Sequence, residues 1–275
     1  MALESEEWRR KRRHQRTLFD SVADLYDASR RAYPKEIVDF MVATAGLKAG
    51  STVLEVGCGT GQLTEQLAGY DFVVTALDIG PSLLAAARRR LGWSTVRFDV
   101  VSFEDFAAAD ASFDLVVSAT AFHWVDPEVK FEKSARLLRP DGWLALLSTG
   151  ERYDDPFATA LLDIWIKHSD DGGAWVKQQR LSDTEISESY GLFGAAIQRL
   201  HSERIHLPAE DVIGVENTRA TSLSWDADIR RGFTEELRHH LESQPAVSLT
   251  QETSLTMAQV SRCHHKLEPR NGNSQ

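Results

Sequence analysis

The run Thr52-Val53-Leu54-Glu55-Val56-Gly57-Cys58-Gly59-Thr60-Gly61-Gln62 constrains the fold most, because three alternating glycines carry a buried strand into a helix. Thr52 to Val56 is apolar and β-branched, the pattern of a parallel strand covered on both faces. Gln62 to Ala68 resumes with helical spacing. Glycine lets such a turn bend sharply and lets a ligand approach where a Cβ would intrude. The helix that follows points free N–H groups at whatever occupies the turn.

Three ligand classes compete for this turn. A phosphate-cradling P-loop needs a Lys after its last glycine, and none follows here. The dinucleotide fingerprint G-x-G-x-x-G fits Gly57 and Gly59 but places its third glycine on Gln62, whose side chain hinders close packing of helix on strand. The third reading is E-x-G-x-G-x-G. Glu55 would repel a pyrophosphate but could accept hydrogen bonds, directly or through water, from an ammonium group. This favours a ligand carrying an amino acid.

Phe72 to Leu77 reads as the next strand and ends in Asp78, 21 positions after Gly57. A doubly wound fold places its acceptor for ribose hydroxyls there. An acid at a helix N-terminus beside Pro81 is the plainer role for Asp78.

These residues resemble the class I S-adenosylmethionine-dependent methyltransferases. Leu54 to Gly61 looks like that family's first motif and Leu77-Asp78 like its second. Phe113 to Ser118 looks like its fourth strand, and Leu137 to Leu144 like the turn into its fifth. Within the family the chain is most similar to the small-molecule branch that includes trans-aconitate methyltransferase. That likeness rests on Phe19 to Asp27 with Arg30 and Tyr33-Pro34, and on Ala121 to Pro127. The resemblance implies an α/β fold: a doubly wound, mostly parallel seven-stranded sheet with a helical cap. It implies S-adenosylmethionine at Tyr26, Arg30, Glu55, Gly57, Cys58, Gly59, Gly61, Asp78, Ile79, Ser102, Phe103 and Ala119. Relatives usually show Asp where this chain has Ser102, and that Asp accepts from the adenine amino group. A serine hydroxyl can also accept, but without charge assistance.

Strand and helix patterns alternate to about Ser148, as a doubly wound sheet requires, and then change. The expected organisation is N-terminal helices over 1–45, a cofactor-binding core over 46–150, a helical cap over 151–195, strands and helices completing the sheet over 196–262, and a disordered tail over 263–275. Pro156 to His168 reads as an amphipathic helix, with a second helical stretch around Trp175. Ile197 to Leu207 and Val247 to Val260 read as strands, and 211–220 and 228–241 as helices.

Methyl transfer from a sulfonium is an in-line displacement, so the protein mainly aligns the reactants in a dry site. His123, after the fourth strand, is the candidate general base, against a His that packs beside Trp124. Tyr33, Trp124, Glu151 and Trp165 are the candidate substrate-pocket residues. Arg30 could pair with a carboxylate of cofactor or substrate. Each has a plainer role: core packing for the tryptophans, a solvated loop for Glu151, a surface position for Arg30. The basic run Arg9 to Arg16 reads as the solvated face of a leading helix rather than a nucleic-acid patch.

A net charge of −10 argues against general nucleic-acid affinity. The apolar stretch near Leu115 to Val125 is too short to span a bilayer. Two cysteines, Cys58 and Cys263, imply no disulfide framework and a cytoplasmic setting. His239-His240 and Cys263-His264-His265 lack metal-ligand spacing, so no metal is expected. The expectation is a small-molecule methyltransferase, with secondary metabolism as one setting, in a monomer or homodimer. A nicotinamide-dependent oxidoreductase and a non-methylating S-adenosylmethionine-binding protein remain as alternatives.

Overall fold

The computed structural model describes residues 6–92, 94–169, 191–242, 244 and 246–261. Within them, seven strands form one sheet. The parallel part comprises β1 (Thr52–Val56), β2 (Val73–Asp78), β3 (Arg97–Val100), β4 (Phe113–Ala119) and β5 (Leu138–Tyr153). The strands β6 (Ile197–Pro208) and β7 (Ala246–Gln259) close the sheet antiparallel, giving the order β3-β2-β1-β4-β5-β7-β6. The sheet is mostly parallel and Rossmann-like, as the motif order led us to expect. Its strand order reverses between β1 and β4, where open α/β sheets leave a crevice at their carboxyl ends.

The connecting helices bury the sheet on both faces. They are α3 (Lys35–Thr44), α4 (Gln62–Ala68), α5 (Pro81–Leu91) and α6 (Lys130–Leu137), while α1 (Glu6–Leu18) and α2 (Ala23–Ser29) precede them in the N-terminal segment and pack on other helices and turns. In α5 the sequence dictates the element. Pro81 sits in its first turn, Leu83, Leu84, Ala86 and Ala87 form one buried face, and Arg88 to Arg90 complement the C-terminal end of its dipole. One core cluster joins Val53, Leu115 and Val117 to Ile37, Met41, Leu63 and Leu67. The opposite face joins Leu54, Val56 and Val116 to Phe103, Phe122 and Leu137.

Two expectations change. The fifth strand does not end near Ser148. It runs to Tyr153, because residues 149–153 pair with β7 as far as Tyr153↔Leu249. The cap also draws on more of the chain than 151–195. α7 (Phe157–His168) packs with α8 (Ala209–Asn217) and α10 (Ala227–Leu241) around Phe157, Trp165, Val212 and Phe233, on the extended ends of β5 to β7. A short helix, α9 (Ala220–Leu223), lies between α8 and α10. The expected second cap helix with Trp175 and the tail lie outside the described residues.

Candidate active site

The glycine turn is held from two sides. The N–H groups of Gly57 and Cys58 both donate to the Leu77 carbonyl at 2.9 Å. At Gly57 the backbone is left-handed, with φ +71°, and a Cβ there would lie 2.4 Å from the Ala121 Cβ. Only glycine fits that position. At Gly59 a Cβ would meet only the Tyr26 ring, at 3.8 Å, and would project into open space. Asp78 spans the turn: one carboxylate oxygen accepts the Gly59 N–H and the other the Gly80 N–H, each at 2.9 Å. Burial raises its pKa, and the Gly80 and Gly59 amides draw it back.

Beyond the carboxyl ends of β1, β2 and β4 lies a cleft with about 710 Å³ of open space. Val56, Gly57, Gly59, Asp78, Ala119 and Thr120 form its base. Ile79, Leu83, Val101 and Phe103 give one end an apolar wall, beside Ser102 and Glu104. The N-terminal segment also lines it, with Arg16, Phe19 and Tyr26. Phe19 meets Tyr26 and Trp124 edge to face, at centroid distances of 5.9 and 5.8 Å. Asp20 fastens this strap to α5 by accepting the N–H groups of Ser82 at 2.7 Å and Leu83 at 3.1 Å, capping the helix from a distance. Arg16 fastens it again by pairing with Glu104 at 2.7 Å.

A second cleft, of about 630 Å³, meets the first at Tyr26 and Thr120. Arg30, Tyr33, Thr149, Glu151 and Gln251 line it with polar groups, and Ile205, Leu207 and Val215 with apolar ones. The Tyr33 hydroxyl lies 3.3 Å from the Thr120 hydroxyl, and burial raises its pKa. Thr120 adopts φ +56°, a strained conformation for a β-branched residue that marks the junction of the clefts. Arg30 donates to the carbonyl and hydroxyl of Thr218 and lies over the Tyr26 ring, while its buried Nε has no hydrogen-bond partner. Arg219 pins Glu151 at 3.3 Å and is itself held by Glu216, which also accepts the Tyr153 hydroxyl and the Trp165 indole N–H.

The structure thus brings Tyr26, Gly57, Gly59, Asp78, Ile79, Ser102, Phe103 and Ala119 to the first cleft. Arg30, Tyr33 and Glu151 stand in the second, with Tyr26 shared. Several expected residues lie elsewhere. Glu55 is 1% exposed and lines neither cleft, because alternation along β1 turns Val56 toward the first cleft and Glu55 away from it. Burial pushes the Glu55 carboxyl up to about 8, with the charge of Asp78 adding to the shift, so at neutral pH it is largely protonated. The Cys58 thiol packs in the core, and Gly61 faces Ala87 and Leu91 of α5.

His123 is also absent from both linings. It stands in the 3-10 turn Phe122–Trp124, whose three residues per turn send successive side chains in three directions. Phe122 enters the core, Trp124 lines the first cleft and His123 is exposed. Trp124 therefore walls the first cleft rather than the second. Trp165 lines neither: its ring is buried against Trp225 and Phe233, each at 4.8 Å. Glu151 is a strand residue with a partly buried ion pair, not a solvated loop acid.

Arg16, Phe19, Glu104, Thr120 and Gln251 also line the clefts, beyond the expected residues. Arg12 and Arg16, four apart on α1, turn the inner face of the basic run onto the site, where they donate to the carbonyls of His123 and Trp124.

The comparisons with known proteins fit this architecture. Residues 54–146 match the family model described as a methyltransferase domain. That stretch of the chain is similar to methyltransferase domains. The chain is 41% identical over 129 residues to a ubiquinone biosynthesis O-methyltransferase of Xanthomonas oryzae, covering 46% of this chain and 53% of that protein. An uncharacterised methyltransferase of Mycobacterium tuberculosis is 35% identical over 136 residues, covering 50% and 54%. The matched region spans about half the length of these curated relatives. Among solved structures, a phosphoethanolamine N-methyltransferase 2 of Haemonchus contortus, in complex with phosphomonomethylethanolamine and S-adenosylhomocysteine, has a fold similar to that of this chain. It superposes with a TM-score of 0.54 at 16% identity, over 88% of this chain and 58% of that one. A protein of Anaeromyxobacter dehalogenans provisionally assigned as a type II methyltransferase gives 0.56 at 22% identity, over 84% and 97%. Among the described residues, no helix is long and apolar enough to cross a membrane, and no group of three or more His, Cys, Asp or Glu could hold a metal.

Proposed function

We propose that this chain is an S-adenosylmethionine-dependent methyltransferase that methylates a small molecule, with the cofactor in the first cleft and the acceptor in the second. The observation that carries this reading is the meeting of the two clefts at Tyr26 and Thr120, beyond the carboxyl ends of β1 and β4. The residues fit the cofactor. Asp78 keeps lone pairs for ribose hydroxyls after accepting two amides. Gly59 leaves room where any side chain would fill the cleft. Phe103, Ile79 and Leu83 offer an apolar slot for a flat ring. Gln62, buried and bonded to Thr60 at 2.7 Å, stands where a dinucleotide turn needs glycine, which disfavours the nicotinamide reading.

When bound, the sulfonium supplies an electrophilic methyl group, and the protein has mainly to orient the acceptor and exclude water. The strap, fixed by Asp20 and by the Arg16–Glu104 pair, covers the first cleft. Tyr33, with its raised pKa, stays protonated near neutrality and serves as a hydrogen-bond donor at the junction. Glu151, oriented by Arg219, offers an acceptor on the far wall of the second cleft.

The test is turnover with methyl-labelled S-adenosylmethionine and a panel of small phenols, amines and carboxylic acids, scored by release of S-adenosylhomocysteine. Acceptor-dependent release is expected. Cofactor binding with no release from any acceptor would favour a non-methylating binding protein.

A further inference from the structure

Two carboxylates share one guanidinium at the end of the second cleft away from the first. Arg219, at the start of α9, donates from Nε to Glu216 Oε2 at 2.8 Å and from Nη2 to Glu216 Oε1 at 2.9 Å. Glu216 is 1% exposed and also accepts the Tyr153 hydroxyl and the Trp165 indole N–H, each at 3.0 Å, so both its oxygens are satisfied. Glu151 receives what is left: its Oε2 meets the same Arg219 Nη2 at 3.3 Å. Two carboxylates against one cation leave a negative charge over, and it falls on the weakly paired Glu151. Glu216 lines neither cleft, whereas Glu151 lines the second. The Glu151 side chain is 10% exposed, and its Oε1 has no hydrogen-bond partner among the described residues yet is not sealed from solvent as the Glu55 Oε2 is. The two cations of the cleft lining are engaged elsewhere. Arg30 is bonded to Thr218 and lies over the Tyr26 ring, and the exposed Arg31 faces Glu203 at 4.0 Å. Position matters as well. The Thr120 N–H donates to the Leu147 carbonyl where the clefts meet, and Glu151 stands four residues further along β5, roughly 13 Å at the rise of a strand. Glu151 therefore meets a part of the acceptor remote from the atom that takes the methyl group.

We propose that Glu151 binds a protonated amine on the methyl acceptor, and that Glu216, by holding Arg219 in a two-point contact, is the positioning residue that leaves the Glu151 charge available to it. The proposal rests on the functional reading above and adds the class of acceptor: a small amphiphile whose cationic group is remote from its nucleophile. Ile205 and Leu207, on the sheet face that carries Glu151, receive the apolar body of the molecule. The carboxylate then selects a cation over a neutral group of the same shape, and rejects an anion.

The experiment is calorimetric titration of the full chain, saturated with S-adenosylhomocysteine, with three probes that share a phenol and differ in charge: para-hydroxyphenethylamine, para-ethylphenol and para-hydroxyphenylpropanoate. Wild-type protein is expected to bind the amine at least about tenfold more tightly than para-ethylphenol, and the carboxylate more weakly than either. In Glu151→Gln the preference for the amine should fall to within about threefold of none. In Glu216→Gln, which removes a charge outside the cleft, Arg219 turns to Glu151, so the preference should fall at least about threefold while para-ethylphenol binds as in wild type. A merely structural Glu216 would shift all three probes alike. Failure of the amine to bind at millimolar concentration, equal binding of amine and para-ethylphenol, or tightest binding of the carboxylate overturns the proposal without any variant. So does a preference unchanged in Glu151→Gln, and one unchanged in folded Glu216→Gln overturns the positioning role. Failure of folded wild-type protein to bind S-adenosylhomocysteine would instead overturn the functional reading on which the proposal rests.

Discussion

The carboxylate of Asp78 accepts the backbone N–H of Gly59 at 2.9 Å, tying the end of β2 to the turn that follows β1. Its other oxygen takes the Gly80 N–H, so one side chain shapes both strand ends that border the cleft. Asp78→Ala should therefore do two things. It should lower the melting temperature, because two amides lose their acceptor. It should also weaken S-adenosylhomocysteine binding by about 1.5 kcal/mol or more, through loss of charge-assisted hydrogen bonds. Thermal unfolding and calorimetry read the two effects separately, and an unchanged affinity in the folded variant would mean that the ribose lies elsewhere.

Gly57 and Gly59 should respond differently to a methyl group. Gly57→Ala drives a Cβ to 2.4 Å from Ala121, where backbone and side chain both resist. A loss of about 2 kcal/mol or more in urea unfolding is expected. Gly59→Ala meets nothing closer than 3.8 Å, but its backbone is also left-handed at φ +55°, so it should lose about 1 kcal/mol, less than Gly57→Ala, while its methyl group projects into the cleft and should weaken cofactor binding. The reverse order of stabilities would contradict the account of the turn.

Glu55 gives the ligand-free protein a pH signature. Its folded pKa, raised by burial to about 8, lies above the ordinary 4.5. Below the lower value the carboxyl is neutral in both states and carries no penalty. As pH climbs toward 8 the unfolded chain ionises while the folded one resists, so this residue's contribution declines with rising pH. Glu55→Gln removes the titration. Its melting temperature relative to wild type should rise between about pH 4.5 and pH 8 and level off above. A constant difference across that range would show that Glu55 does not titrate with folding.

His123→Ala is expected to retain methyl transfer, with kcat within about threefold of wild type, because the imidazole is exposed and lines neither cleft. A loss of a hundredfold or more, with cofactor binding intact, would restore His123 as the base.

The sheet was legible because its strands are buried runs with glycine turns at fixed spacing, and Gly57, Gly59 and Asp78 follow from that pattern. Side-chain direction was harder to read. Glu55 and Val56 are neighbours in one motif, yet the pleat sends only Val56 to the cleft, and the 3-10 turn likewise separates His123 from Trp124. The contacts of Arg16 with Glu104 and of Glu151 with Arg219 join residues 88 and 68 positions apart, beyond the reach of local spacing. The basic run did carry a signal for Arg16, since Arg12 and Arg16 share a helix face, but only the folded strap shows which face turns inward.

The most direct test of the central claim is calorimetric titration of the nucleotide-stripped protein with S-adenosylmethionine, S-adenosylhomocysteine, NAD and NADP. Binding of the two sulfur ligands at micromolar concentration, with no heat from either nicotinamide, is the predicted result. A nicotinamide ligand bound in their place would contradict the account and leave only the fold standing.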